Sequence, residues 1–357
     1  MTDTPKSFAT DVNTVEAPRE EVFEPKKSAG FWTRKRKIWA GGCAGVTIVL
    51  LVVLLPIIFF VIVPKVAQSS INNSKLTFSD VSITNPQNST FNVAMKIEVT
   101  DAGHTDATVT NTSPLTVYWV GGIDPADMTE KPLLEMNMGS YSVSGGKATI
   151  EQNIENAKVL DEQIFTAFNK FLVVSPTFKW RMVGDVSVHA VGRTYEGLKM
   201  DKVVEVKGMD QLKGASIKEF QPLAAPNPAA PLPIAMNATL INPSPIGIEL
   251  TNVLFNVTLI PPGSTTPIFL GTALSTGTTL LKGSGETKMP LRAELVPTVG
   301  LPPLLQSALG LVLSGQLNTK LTVVPVSVNA ENPVSWINNA LRGLPLEAEL
   351  GKKEATA

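Results

Sequence analysis

The sequence predicts a mainly β protein: one N-terminal transmembrane helix, then two β-sandwich modules, each with one amphipathic helix. Three observations lead there. Residues Ile38–Pro64 form an apolar run without a single charge. Beyond it, short alternating runs recur between turn residues, and Pro and Gly (27 and 26 residues) are spread along the chain rather than clustered. A strand–Asn-Pro–strand pattern is also written twice, at Asn85-Pro86 and at Asn242-Pro243. The implied order is a disordered cytoplasmic tail at 1–37, the membrane helix at 38–64 and a first module at 65–207. A linker at 208–215, a second module at 216–345 and a disordered tail at 346–357 follow.

The membrane helix rests on "VTIVLLVVLLPIIFFVIV", Val46–Val63. A bilayer core of ~30 Å needs roughly 20 helical residues. A cleaved signal peptide has a shorter apolar region nearer the N-terminus, and Pro56 is tolerated in a lipid-spanning helix. Lys26, Lys27, Arg34, Lys35, Arg36 and Lys37 precede the run, whereas only Lys65 and Lys75 follow closely. Positive charge stays cytoplasmic, so the N-terminus is expected inside and the remainder in the lumen. The basic cluster either sets this topology or also meets anionic headgroups. Five N-x-S/T sequons, at Asn72, Asn88, Asn111, Asn237 and Asn256, all fall on the luminal side. Gly41 and Gly45 lie four apart, a spacing that lets two helices approach and form a homodimer, or that simply places small residues at a helix end. Cys43 beside them is a site for acylation or an inert apolar residue.

In the first module Phe91, Val93, Met95, Ile97 and Val99 alternate with Asn92, Ala94, Lys96 and Glu98, which predicts a strand with one buried face. Before the pivot stand Leu76, Phe78, Val81 and Ile83; the Asn85-Pro86 step ends that strand. In the second module Ile234, Met236, Ala238 and Leu240 alternate up to Asn242-Pro243, and Ile246, Ile248 and Leu250 resume. Val253, Phe255, Val257 and Leu259 follow, with Asn256 on the opposite face. Further on, Ser144–Ile150 parallels Gly283–Met289, and Phe178–Val191 parallels Leu317–Ala330. Between these parallels each copy holds a helix-like stretch. In the first it is Asn153–Val173, with Val159, Leu160, Ile164, Phe165, Phe168, Phe171 and Leu172 three or four apart. In the second it is Val299–Gly315.

Each copy resembles the late-embryogenesis-abundant type-2 domain, also called the water-stress and hypersensitive-response domain. The whole is similar to a fungal family of single-pass membrane proteins with tandem domains of this kind in the lumen. The resemblance implies a small sandwich with an Asn-Pro bend and one helix, an endomembrane and especially vacuolar location, and lipid or protein binding with a role in membrane traffic. It implies no catalytic residues.

Chemistry is sparse. A net charge of −1 argues against nucleic acid as a partner. One cysteine and two histidines, His104 and His189, exclude an internal disulfide and Cys- or His-rich metal sites, so neither metal nor cofactor is expected. No Asp-x-Asp, G-x-S-x-G, P-loop or H-E-x-x-H occurs. Asp124 and Asp127 belong to a turn, and Ser187 with His189 to a strand edge, both expected on one face. What remains is apolar surface. Phe165, Phe168, Phe171 and Trp180 either complete a core or line a groove for a lipid tail. The expected partners are therefore the bilayer and a lipid ligand or luminal protein. A membrane-anchored sugar-modifying enzyme and a purely structural tether are the alternatives.

Overall fold

The strict alternation from Phe91 to Val99 forms the strand it predicts, with all five apolar residues buried. The computed structural model describes residues 52, 54, 57–122, 129–225, 227, 229–259, 268–297, 320–328, 333–342 and 346–350. Two compact units are distinguished, Met1–Ile58 and Phe59–Ala357, and every sheet lies in the second. In its first half the elements are α1 (Val63–Asn73), β1 (Lys75–Thr84), β2 (Thr90–Thr100), β3 (Ala107–Asn111), β4 (Leu115–Val120), β5 (Glu130–Met136) and β6 (Tyr141–Val143). Then come β7 (Ala148–Val159), α2 (Glu162–Val174), β8 (Thr177–Ala190) and β9 (Arg193–Lys207). The second half holds β10 (Ser216–Pro222), β11 (Leu232–Asn242), β12 (Ile246–Thr251), β13 (Leu254–Leu259), β14 (Ile268–Leu274) and β15 (Thr278–Leu281). It ends with β16 (Gly285–Leu295), β17 (Lys320–Ser327), α3 (Ser335–Leu341) and β18 (Leu346–Leu350).

The protein is mainly β and has two sheets. The larger runs β15-β12-β1-β2-β7-β5-β4-β8-β3-β6, with β9 on the other side of β8. In β1 the inward residues Phe78 and Val81 are three apart, which breaks alternation. A bulge between Phe78 and Asp80 absorbs the extra residue and keeps both side chains in the core. The long hairpin β8–β9 reverses over Val191 and Gly192, both at positive φ (52° and 71°), as a two-residue turn demands.

The second sheet closes into a barrel, β10-β11-β16-β14-β13-β17-β18, through a parallel contact between β10 and β18. Large and small residues face each other across β11 and β16: Ile234 opposite Ala293, Ala238 opposite Met289. That exchange of volumes fills a narrow interior without strain. The sheets do not follow the repeats. β12 and β15, from the second repeat, complete the first sheet, with β12 parallel to β1 in the register Val81–Ile246 and Ile83–Ile248.

The helical periodicity expected from Asn153 begins too early. Ile154, Ala157 and Val159 are inward residues of β7, and a bulge at Asn156 (φ 55°) gives them a helix-like spacing. The helix itself starts after Asp161, whose carboxylate accepts the N–H groups of Gln163 and Ile164, both at 2.9 Å. The second helix-like stretch, 299–315, lies outside the described residues.

Candidate functional site

α1 begins at Val63, at the end of the apolar run, with Pro64 in its first turn, where proline is well suited. Val63, Ala67 and Ile71 form its inward stripe and pack on the core. Two side chains fasten it to the sheet. Gln68 grips the backbone of Lys199 in β9, accepting its N–H at 2.9 Å and donating to its carbonyl at 2.8 Å. Lys202, also in β9, donates from Nζ to the carbonyls of Asn72 (2.7 Å) and Ser74 (2.6 Å) at the helix end. Those carbonyls have no partner within the helix and form the negative end of its dipole. The loop after β2 closes the side. Gly103 (φ +88°) lies so near α1 that a Cβ would sit 2.7 Å from Ser70 Oγ.

Between α1 and the open end of the first sheet lies a cavity of about 480 Å³. Its walls are apolar: Leu76, Val99, Val109, Val143, Val188 and Met200. Small-molecule sites run from roughly 300 to 1,000 Å³ and combine apolar walls with a few polar groups. Here the polar groups include Lys202 and Tyr141. Burial pushes the Tyr141 hydroxyl up to about 12, so it stays protonated at neutral pH. Lys202 is only 8% exposed, and burial lowers the pKa of its ammonium. Among the described residues no carboxylate pairs with it.

The aromatic residues expected to complete a core or line a groove sit at the other end. Phe165 and Phe168 of α2 and Trp180 of β8 are buried, and Phe171 is half-buried. Phe168 meets Phe178 at 5.3 Å and Trp180 at 6.0 Å, and Trp119 meets Phe171 at 5.3 Å. The void left among the first three is about 40 Å³, room for a few waters. Trp336 of α3 stops this end, fully buried, with its ring 4.9 Å from Phe165 and Nε1 donating to the Gln87 carbonyl at 2.8 Å.

Asn237 and Asn256 are half-exposed on strands whose neighbours Met236, Ala238, Phe255 and Val257 are buried, so the strand register is as read from the sequence. Asn72 and Asn88 are exposed. Asn111 is half-buried, and its Oδ1 has no partner among the described residues. Asn88 Oδ1 accepts from the N–H and hydroxyl of Ser335, at 2.8 and 3.0 Å. Ser187 and His189 lie on one face of β8: Val186, Val188 and Ala190 alternate with them and are buried, and the register with β3 runs through without a break. Ser187 is nonetheless buried, whereas His189 is exposed and bonded to the Thr194 hydroxyl at 3.0 Å. Among the described residues no group of three His, Cys, Asp or Glu could hold a metal. Gly41, Gly45, Asp124 and Asp127 lie outside the described residues. Among those described, no helix is long and apolar enough to cross a membrane.

The cavity was not foreseen, but β9 carried a signal for it. Leu198, Met200 and Lys202 occupy successive inward positions of an alternating strand, which sets a lysine where an apolar residue is expected.

Comparison with known proteins adds one finding. Residues 131–257 match the model of a family described as "Protein of unknown function (DUF3712)". No curated protein matches. The matched stretch runs from β5 into β13 and includes α2, Lys202 and the second Asn-Pro step.

Proposed function

We propose that this protein is a single-pass, non-enzymatic membrane protein that holds a lipid acyl chain in the cavity between α1 and the first sheet. In this reading residues 38–64 cross the bilayer, the N-terminal tail is cytoplasmic, and both sheets face the lumen of an endomembrane compartment such as the vacuole. The luminal sequons carry glycans, and the tandem type-2 resemblance describes the same layout. The observation that carries the reading is the apolar cavity of about 480 Å³, roofed by the helix that directly continues the apolar run. A lipid leaving the bilayer meets this helix first. Arg193, at the tip of the β8–β9 hairpin, lies 5.2 and 5.3 Å from the rings of Phe59 and Phe60, which brings that tip to the same end of the domain.

The test uses the full-length protein in microsomes and a photoactivatable fatty acid. Labelled peptides should come from α1 and from the β3, β6 and β9 walls. Ala67→Trp, which fills the cavity from its roof, should abolish the label. Labelling confined to 165–171, or unchanged by Ala67→Trp, would sink this reading.

A further inference from the structure

We infer that the ligand of this cavity carries an anionic head, a carboxylate or a phosphate, which rests on the ammonium of Lys202. The inference depends on the cavity being a lipid site and adds the chemical class of what it takes.

Lys202 lines the cavity, and an ammonium has three donors. Two are spent on the carbonyls of Asn72 and Ser74, and one remains for a ligand. The helix end offers roughly half a negative charge, so the full positive charge of Lys202 is only partly balanced. Buried charges are normally paired, because a low-dielectric site penalises an uncompensated ion. If capping α1 were its whole purpose, a neutral amide at this position of β9 would donate to the same carbonyls with a smaller desolvation cost. No described carboxylate pairs with Lys202, and Asp201, the next residue in β9, binds Arg181 on the outer face at 2.6 Å. A head with its own negative charge completes the site, and an uncharged head leaves it incomplete. The acyl chain then lies along Val99, Val109 and Val188.

The experiment compares a photoactivatable fatty acid with its primary amide, both applied to microsomes containing the full-length protein. Wild type should be labelled about tenfold or more better by the acid, as expected for one charge-assisted hydrogen bond. Lys202→Met should bring acid labelling down to the level of the amide, and Lys202→Arg should keep the preference. Competition by oleate against lysophosphatidic acid then tells a carboxylate from a phosphate head. Equal labelling of wild type by acid and amide, both lost in Ala67→Trp, would leave the cavity as a lipid site and overturn the anionic head. Absence of both labels would remove the lipid site itself. If Lys202→Met loses both labels because α1 detaches, the wild-type ratio and Lys202→Arg still decide.

Discussion

Asn85 stands in solvent with φ at 47°, and the chain behind it folds straight back: β1 pairs with β2, and Gln87 N–H donates to Thr90 at 2.8 Å. Asn242 is completely buried. Its Nδ2 donates to the carbonyls of Ile246 (2.8 Å) and Lys282 (3.0 Å), and its Oδ1 accepts the Ser244 N–H at 3.0 Å. The chain behind it does not return to β11. It leaves the barrel, Pro245 accepts the N–H of Val81 at 2.9 Å, and β12 joins the first sheet. The crossing is crowded: a Cβ at Gly283 would stand 2.2 Å from the Pro245 carbonyl oxygen. One step is a turn, and the other is a junction between sheets. The proline stops the ladder in both places, but what the chain does next depends on the faces of the following strand. β2 has one wet face and suits a hairpin. β12 is buried at four of its six residues, Ile246, Gly247, Ile248 and Leu250, including two neighbours that face opposite sides, and suits a covered place in the sheet.

The second repeat reaches the first a second time, through α3. Trp336 fills the end of the first sheet beside Phe91 and Phe165, and Asn88, in the turn after Asn85, accepts the first N–H of α3. If the repeats were separate, cutting α3 away would leave the first sheet untouched. Trp336→Ala should instead lower the stability of the whole β unit by about 3–5 kcal/mol, the usual cost of emptying such a site. Urea denaturation followed by tryptophan fluorescence should show one transition at a lower midpoint. A loss below about 1 kcal/mol, or a separate early transition, would restore the picture of two independent modules.

The junction itself comes next in size. Asn242→Ala strands two carbonyls and one N–H in a dry site, which should cost about 2–4 kcal/mol. The measurement is the same urea midpoint, with hydrogen exchange on β12 as a local readout. Protection of Ile246 and Ile248 should fall more than that of Ile234. Equal loss across β11 and β12 would mean that Asn242 supports the barrel generally rather than the crossing.

Single strands were legible in the sequence wherever one face is wet and the other dry. Phe91–Val99 and Ile234–Leu240 gave their registers directly, because a one-residue slip would turn every side chain over. Strand partners were not legible. Alternation records which face is buried but not against what, so neither the β12–β1 pairing nor barrel closure through β10 and β18 could be read from it. A bulge misled where it altered spacing, at Asn156, which gave a strand the look of a helix. The cavity was hidden for a different reason. It lies between a helix and residues from six strands that are distant in the chain, and its one sequence trace is the inward lysine at 202.

The smallest effect belongs to the first step and is the sharpest check of the comparison. Asn85 occupies the left-handed region, where a side chain with a Cβ is penalised by about 1–2 kcal/mol and asparagine less than most. Glycine has no Cβ and enters this region freely. Asn85 is exposed, and no hydrogen bond from its side chain supports the turn among the described residues. Asn85→Gly should therefore leave the urea midpoint within about 0.5 kcal/mol of wild type, and Asn85→Ala should cost about 1 kcal/mol through backbone strain alone. At the buried step the order reverses in meaning. There Asn242→Gly loses the same three hydrogen bonds as Asn242→Ala and should be no better tolerated, since backbone freedom is not what that residue supplies. If glycine proves harmless at both positions, the two asparagines serve the same turn. If it is costly at Asn85, that side chain holds the turn in a way its exposure conceals.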